Sequence, residues 1–268
     1  MKEKVQKILE ILFWTVLTGG MLALVGFTVS SHGEKTCKKY TISIDYGKAD
    51  TLITREDVTG LIRKTGYVLQ GQRMGLIDFN KIETAIRRQP YVADAQVYAT
   101  LEGEIGITVR QRQPILRVFN QSGESFYLDG SGVVLPLNPA FSARVLVASG
   151  FIDEPFSRQV NYSCDSVRLR DSLQFRGVMN NLFRLACHII RYPFLKAQIE
   201  QVYVDRNGEM ELIPRVGNHI ILLGNADDLD DKFTRLMVFY TLGLSRTGWD
   251  KYQIINIKYQ RQVVCSKI

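Results

Sequence analysis

The segment PYVADAQVYATLEGEIGITVRQRQPI, residues 90–115, is where the chain changes from a helical to a strand period. Pro90 disfavours helical geometry in Gln89 and so stops the helix before it. Residues 92–101 and 105–110 then read as two strands: Ile105, Ile107 and Val109 alternate onto one face, and Gly103 sits between the strands as a hairpin turn. Working back, Asp78, Phe79, Ile82, Ala85 and Ile86 carry the 3.6-residue spacing of an amphipathic helix. Before it, Thr54 and Asp57 stand at capping-box spacing ahead of Val58, Leu61 and Ile62, with Gly66 closing a shorter helix. Residues 40–46 alternate Ile42 and Ile44 with Thr41, Ser43 and Asp45, a strand pattern. The order is strand, helix, helix, strand, strand.

Working forward from Pro114 the chain is strand-dominated. Residues 115–119, 126–128 and 133–135 read as strands punctuated by Gly123 and by Asp129-Gly130-Ser131-Gly132, and residues 145–148 add another. Val178, Leu182, Leu185, Ala186 and Ile189 share one helical face before Pro193. Strands resume at 199–204, 210–213 and 219–223, joined at Asn207-Gly208 and Val216-Gly217. Leu229, Phe233, Leu236, Met237, Tyr240 and Leu244 then define a helix that Gly243 and Gly248 are expected to end, and a final strand is expected over 252–264.

At the amino end, residues 11–29 contain no charge, long enough as a helix to cross a hydrocarbon core of roughly 30 Å. Trp14 falls near headgroup level, and Lys2, Lys4 and Lys7 precede the run, which by the positive-inside rule keeps the amino terminus in the cytoplasm. The run is too long for a secretion signal and leaves through Ser30-Ser31-His32 without an Ala-x-Ala site. The expected organisation is a cytoplasmic tail at 1–10, a transmembrane helix at 11–31, a βααββ domain at 38–112 and a β-rich domain with packed helices at 113–268. The fold class is α+β.

Thirty-four Lys plus Arg against 27 Asp plus Glu give a net charge of +7, spread along the chain. That describes a mildly basic solvated surface suited to anionic headgroups or an acidic partner. An extracytoplasmic body argues against nucleic acid. Cys37, Cys164, Cys187 and Cys265 are far apart and no His stands at ligand spacing, which gives neither a zinc site nor a dense disulfide scaffold; a single Cys164 to Cys187 bridge stays open.

No active site emerges. His32, His188 and His219 have no evident partners, and a Cys187 nucleophile lacks a base in the sequence. Asp227, Asp228, Asp230 and Asp231 lack the Gly and terminal Glu of a calcium loop and fit the first turn of a helix, where each acid stabilises the positive end by about 0.3–1 kcal/mol. Gly130 and Gly132 are not followed by the Lys-Ser/Thr pair of a phosphate loop. The expectation is a protein that is not an enzyme, with no cofactor, metal or small-molecule substrate. Two other classes stand beside it: an anchored envelope enzyme of murein-hydrolase type, which needs a nucleophile or paired carboxylates, and a bitopic signalling regulator, for which a ten-residue tail is too short to fold.

The motifs in order resemble those of the bacterial FtsQ/DivIB cell-division family. Residues 90–97, PYVADAQV, are similar to its stretch leading into the second strand of the POTRA domain. Residues 107–115, ITVRQRQPI, resemble its I-x-V-x-E-R-x-P-I junction, and residues 127–133, YLDGSGV, its L-V-D-x-x-G-x-V hairpin. Leu223-Gly224 leading to Asp231-Lys232-Phe233 resembles its helix start, and residues 255–259, INIKY, its closing V-D-L-R-Y strand. The chain departs from the pattern at Gln111, where the family has Glu, at Leu101-Glu102 in place of Trp-Pro, and at Asn256 and Lys258 in place of Asp and Arg.

The resemblance implies a POTRA-like first domain and a scaffold of the divisome, in the inner membrane at the division septum with its body in the periplasm. Such a scaffold links early and late division proteins and binds an FtsB/FtsL-like coiled-coil pair alongside other divisome membrane proteins. It also places Lys258-Tyr259 where the family has an Arg-Tyr pair implicated in FtsB binding. The candidate partner-binding residues are Trp249, Ile255, Ile257, Lys258 and Tyr259. Ile255, Ile257 and Tyr259 are expected on one face of an edge strand, with Asn256 and Lys258 on the other, and strand addition at that edge supplies main-chain hydrogen bonds to the partner.

Overall fold

The computed structural model describes residues 12–22, 35–48, 50–100, 102–154 and 177–267. Residues 12–22 form helix α1, exposed along its length. Among the described residues no helix is long and apolar enough to cross a membrane; the tail at 1–10 and much of the expected span at 11–31 lie outside them. The rest divides into two compact units. The first joins the chain up to Asp45 with Ile53–Gln111, and the second joins Tyr46–Leu52 with Arg112–Ile268.

The first unit has the order β1 (Lys39–Asp45), α2 (Arg55–Lys64), α3 (Phe79–Arg87), β2 (Val92–Ala99) and β3 (Glu104–Gln111), with a short 3-10 turn at Met74–Leu76 that the sequence pattern did not anticipate. The strands lie in the order β1-β3-β2, β1 parallel and β2 antiparallel to β3. Gly103 turns the β2–β3 hairpin with φ of 86°. Ile105, Ile107 and Val109 of β3 are buried, as are Val58, Ile62, Ile82 and Ile86 of the two helices, all at most 4% exposed. Each such side chain contributes roughly 1.5–3 kcal/mol relative to an exposed one. Thr54 and Asp57 form the complete capping box, and Asp78 caps α3 by accepting from the Lys81 N–H.

The second unit is one nine-stranded sheet in the order β12-β11-β10-β9-β8-β7-β4-β5-β6. Its strands are β4 (Pro114–Phe119), β5 (Ser125–Asp129), β6 (Val134–Leu135), β7 (Leu146–Gly150), β8 (Ile199–Val204), β9 (Met210–Pro214), β10 (Ile220–Gly224), β11 (Tyr252–Asn256) and β12 (Val264–Lys267). Asp129 organises the β5–β6 hairpin: its carboxylate accepts from the Ser131 and Val133 N–H groups and pairs with Arg112 at 2.9 Å. Helices α4 (Val178–Arg191) and α6 (Leu229–Val238) share a core with the sheet through Leu182, Leu185, Phe233 and Leu236 against Leu116, Val202, Leu212 and Ile255. A short α5 (Pro193–Gln198) follows α4, its Pro193 in the first turn where no N–H is missed.

Two expectations are corrected here. Gly243 does not end the second long helix; the chain continues from α6 through π-type turns at Phe239–Leu244 and a last turn α7 (Ser245–Thr247), and Gly248, at φ of 93°, ends it. The 252–264 segment is not one strand. It is the hairpin β11–β12, with strand geometry lost from Ile257 to Val263. The cause is local. The Ile257 N–H makes the last bond to β10 at the Leu222 carbonyl; beyond it Asn256 Oδ1 takes the Lys258 N–H and Arg261 adopts a left-handed φ of 60°.

Candidate partner-binding surface

Because of that hairpin, β11 is an interior strand, parallel to β10 on one side and antiparallel to β12 on the other. Among the described residues, β12 has a single strand neighbour and forms the edge of the sheet. The parallel β10–β11 pair requires a crossover, and α6 with its continuation supplies it. This brings Arg235 over the hairpin turn. Its guanidinium donates to the carbonyls of Tyr259 (2.6 Å), Gln262 (2.5 Å) and Ile257 (3.2 Å), while Nε holds Asp231 at 3.0 Å.

The expected residues separate accordingly. Ile255 and Ile257 are fully buried in the core of the sheet and helices. Tyr259 lies in the turn, outside any strand, and is 52% exposed. The expected alternation of Ile255, Ile257 and Tyr259 on one face therefore stops at Ile257, because the backbone leaves the pleat there. Lys258 Nζ pairs with Glu209 Oε2, which holds its ammonium above the usual lysine value, and its stem crosses Gly224, where an added Cβ would lie 3.1 Å from Lys258 Cγ. Trp249 sits half-buried in an aromatic group, 5.1 Å from the Tyr240 ring and 6.3 Å from His219.

Side chains that sequence reasoning missed complete the surface. Val238 (51%) and Leu242 (60%) are exposed on α6 and its continuation, and Val264 (45%) on β12. Their signal was legible: Val238 and Leu242 are apolar yet fall off the stripe defined by Phe233, Leu236, Tyr240 and Leu244. Arg235 announced itself only as an i, i+4 partner of Asp231.

The residues weighed for catalysis have structural surroundings. Cys187 is disulfide-bonded, so it is not a free nucleophile; Cys164, its candidate partner, lies outside the described residues, as does His32, and Cys37 and Cys265 are free thiols. His188 stacks on Phe233 with ring centroids 5.0 Å apart and lies 3.6 Å from Asp230. His219 Nε2 meets the Tyr240 hydroxyl at 3.0 Å. Burial pushes both imidazoles below the usual histidine value and the Tyr240 hydroxyl above the usual tyrosine value. The four acids do not form a cluster: Asp227 faces Arg184 and Asn225, Asp228 sits at the N-cap with φ of 50°, Asp230 faces His188, and Asp231 pairs with Arg235. Buried Lys232 donates to the carbonyl and Oδ1 of Asn225, both at 3.0 Å, and desolvation lowers its basicity. Among the described residues no group of His, Cys, Asp and Glu is placed to hold a metal ion.

Comparison with known families gives two matches. Residues 35–110 match the POTRA-like domain, in accord with the βααββ unit and its β1-β3-β2 sheet. Residues 113–266 match the family described as FtsQ/DivIB, C-terminal related. Comparison with curated proteins finds no match. The second family match covers more than half of the chain and the sheet from the start of β4 into β12, so the chain belongs to the FtsQ/DivIB-related family of division-associated scaffold proteins.

Proposed function

We propose that this protein is a non-enzymatic bitopic scaffold of the bacterial divisome, anchored in the inner membrane with its amino terminus in the cytoplasm. In this reading the two folded units lie in the periplasm at the septum and link early and late division proteins. An FtsB/FtsL-like coiled-coil pair contributes a segment that adds as a strand to β12. The observation that carries the reading is the exposed edge at β12, with Tyr259 and Val264 beside it and Val238 and Leu242 on the neighbouring helix. Main-chain hydrogen bonds supply affinity at such an edge, and flanking side chains supply specificity. Tyr259 is the aromatic anchor of the site. Lys258, tied to Glu209, adds a charge that a partner's acid must share. Ile255, Ile257 and Trp249 act from beneath by holding the hairpin against the core.

Capture of an FtsB-like partner by the detergent-solubilised full chain tests this. Tyr259→Ala is expected to weaken capture by about 2 kcal/mol or more if it is a hot spot. Lys258→Glu is expected to weaken it less and in a salt-sensitive manner. Undiminished capture by folded Tyr259→Ala removes the anchor from this turn.

A further inference from the structure

A cavity of about 610 Å³ lies in the second unit at the amino ends of the three parallel strands β4, β7 and β8. Its floor is apolar. Ile115, Leu146, Ile189 and Ile199 are each less than a tenth exposed, with Val145 and Val147 beside them. Around the mouth stand Lys48, Arg117, Arg144, Lys196 and Arg215 against two acids, Asp50 and Glu200. None of the five cations forms an ion pair among the described residues. One of the acids is engaged, since the Asp50 carboxylate accepts the Arg144 backbone N–H at 2.9 Å. Arg117 is held in place by a 3.2 Å bond from Nε to Ser125 Oγ and lies 4.7 Å from the Phe119 ring and 5.6 Å from that of Tyr127.

The five cations come from five places in the chain: the segment after β1, β4, the segment before β7, α5, and the residue after β9. A single phosphate is recognised by donors that converge on one point. Here the positive charge is distributed around an apolar floor, which suits carboxylates spaced along a chain. β4, β7 and β8 are interior strands and offer no free backbone edge, so recognition falls to side chains. The volume lies within the roughly 300–1,000 Å³ range of sites that enclose bound groups.

We propose that this cavity docks an acidic peptide segment of a partner protein, one apolar side chain filling the floor and flanking Asp or Glu side chains meeting the basic rim. The proposal goes beyond the edge-strand reading and is independent of it. β9, β10 and β11 separate β8 from β12 in the sheet, so the two surfaces are distinct.

Fluorescence anisotropy with a labelled Glu-Leu-Glu-Glu-Leu-Glu peptide and the full chain in phosphatidylcholine nanodiscs tests it. Saturable binding is expected to weaken about tenfold or more in the Lys196→Glu, Arg215→Glu double variant, and to fall with added salt. Tyr259→Ala is expected to leave it unchanged, which separates this site from the edge of β12. Val147→Trp, which fills the floor and keeps the rim, is expected to weaken binding as well. Unaltered affinity in the folded double variant or in Val147→Trp, or equal binding of the Gln-Leu-Gln-Gln-Leu-Gln peptide, overturns the proposal. Displacement of the peptide by phosphatidylglycerol vesicles but not by phosphatidylcholine vesicles also overturns it, in favour of a membrane surface.

Discussion

Arg235 binds three backbone carbonyls of the turn that carries Tyr259, and hydrogen bonds from a charged donor are worth about 1.5–3 kcal/mol each but are not additive. Arg235→Ala is therefore expected to lower stability by about 2–4 kcal/mol in urea unfolding and to weaken partner capture although Tyr259 is intact. Arg235→Lys keeps the charge without the planar fork and is expected to fall between the two. An unchanged unfolding midpoint in Arg235→Ala shows that the turn holds itself. The buried histidines carry a pH dependence. Desolvation lowers the basicity of His188 and His219; Asp230 opposes this at His188 and Arg191 adds to it. Their folded form favours the neutral ring, so the unfolded chain binds protons more readily, and the stabilisation is fully present above about pH 6.5 and declines as pH falls below it. The urea midpoint is expected to drop between about pH 7 and pH 5. His188→Phe, which retains a ring against Phe233, is expected to flatten part of that slope; a slope identical to that of the unaltered protein assigns it to other groups. Gln111 shows why one departure from the family pattern is tolerated: it is 1% exposed, and its neutral amide accepts the Ile53 N–H at 3.2 Å without a charge to bury.

At the scale of elements, the closing hairpin separates two ways in which a partner strand can bind. It can extend the sheet beyond β12, or it can replace β12 against β11. Truncation after Val263 removes β12 and leaves β11 in place. Extension predicts that capture is lost, replacement that it is kept or strengthened; loss is expected, once circular dichroism shows that the sheet is retained. The capping box of α2 gives a simpler test. Thr54→Ala removes the acceptor for the Asp57 N–H and is expected to cost the first unit about 1 kcal/mol in thermal or urea unfolding, with no effect on capture at β12.

At the scale of the whole molecule, the boundary between the units is not a single cut in the chain. Tyr46–Leu52 belongs with the second unit, where the Tyr46 carbonyl accepts from Gln113, the Lys48 N–H donates to Gln113, Asp50 holds the Arg144 N–H and the Leu52 carbonyl accepts from Asn138. A fragment that starts at Arg112 loses all four bonds and is expected to unfold at lower urea than the same sheet in a fragment that starts at Lys35. Equal midpoints remove Tyr46–Leu52 from the stability of the sheet. The proposed topology is tested separately: a reporter active only outside the cytoplasm, fused after Ile268, is expected to be active, and silence with an active cytoplasmic reporter reverses the orientation.

Within its described residues the protein shows how far local pattern reaches. The alternation at Ile105, Ile107 and Val109, the capping pair Thr54 and Asp57, the turn at Gly103 and the apolar stripe through Phe233, Leu236 and Tyr240 all act within a few residues of themselves, so the sequence alone determined those elements and the POTRA-like order. The same pattern read residues 252–264 as one strand, since Ile255, Ile257 and Tyr259 do alternate. The guanidinium of Arg235, distant in sequence, holds the backbone beyond Ile257 in a turn and leaves Tyr259 exposed. Which strand forms the edge, where Lys258 finds Glu209, and how five separated cations come to surround one apolar floor were decided only by the tertiary structure. Helical and strand periods are set by neighbouring residues, whereas strand order and charge convergence depend on pairings across the chain that no local pattern encodes.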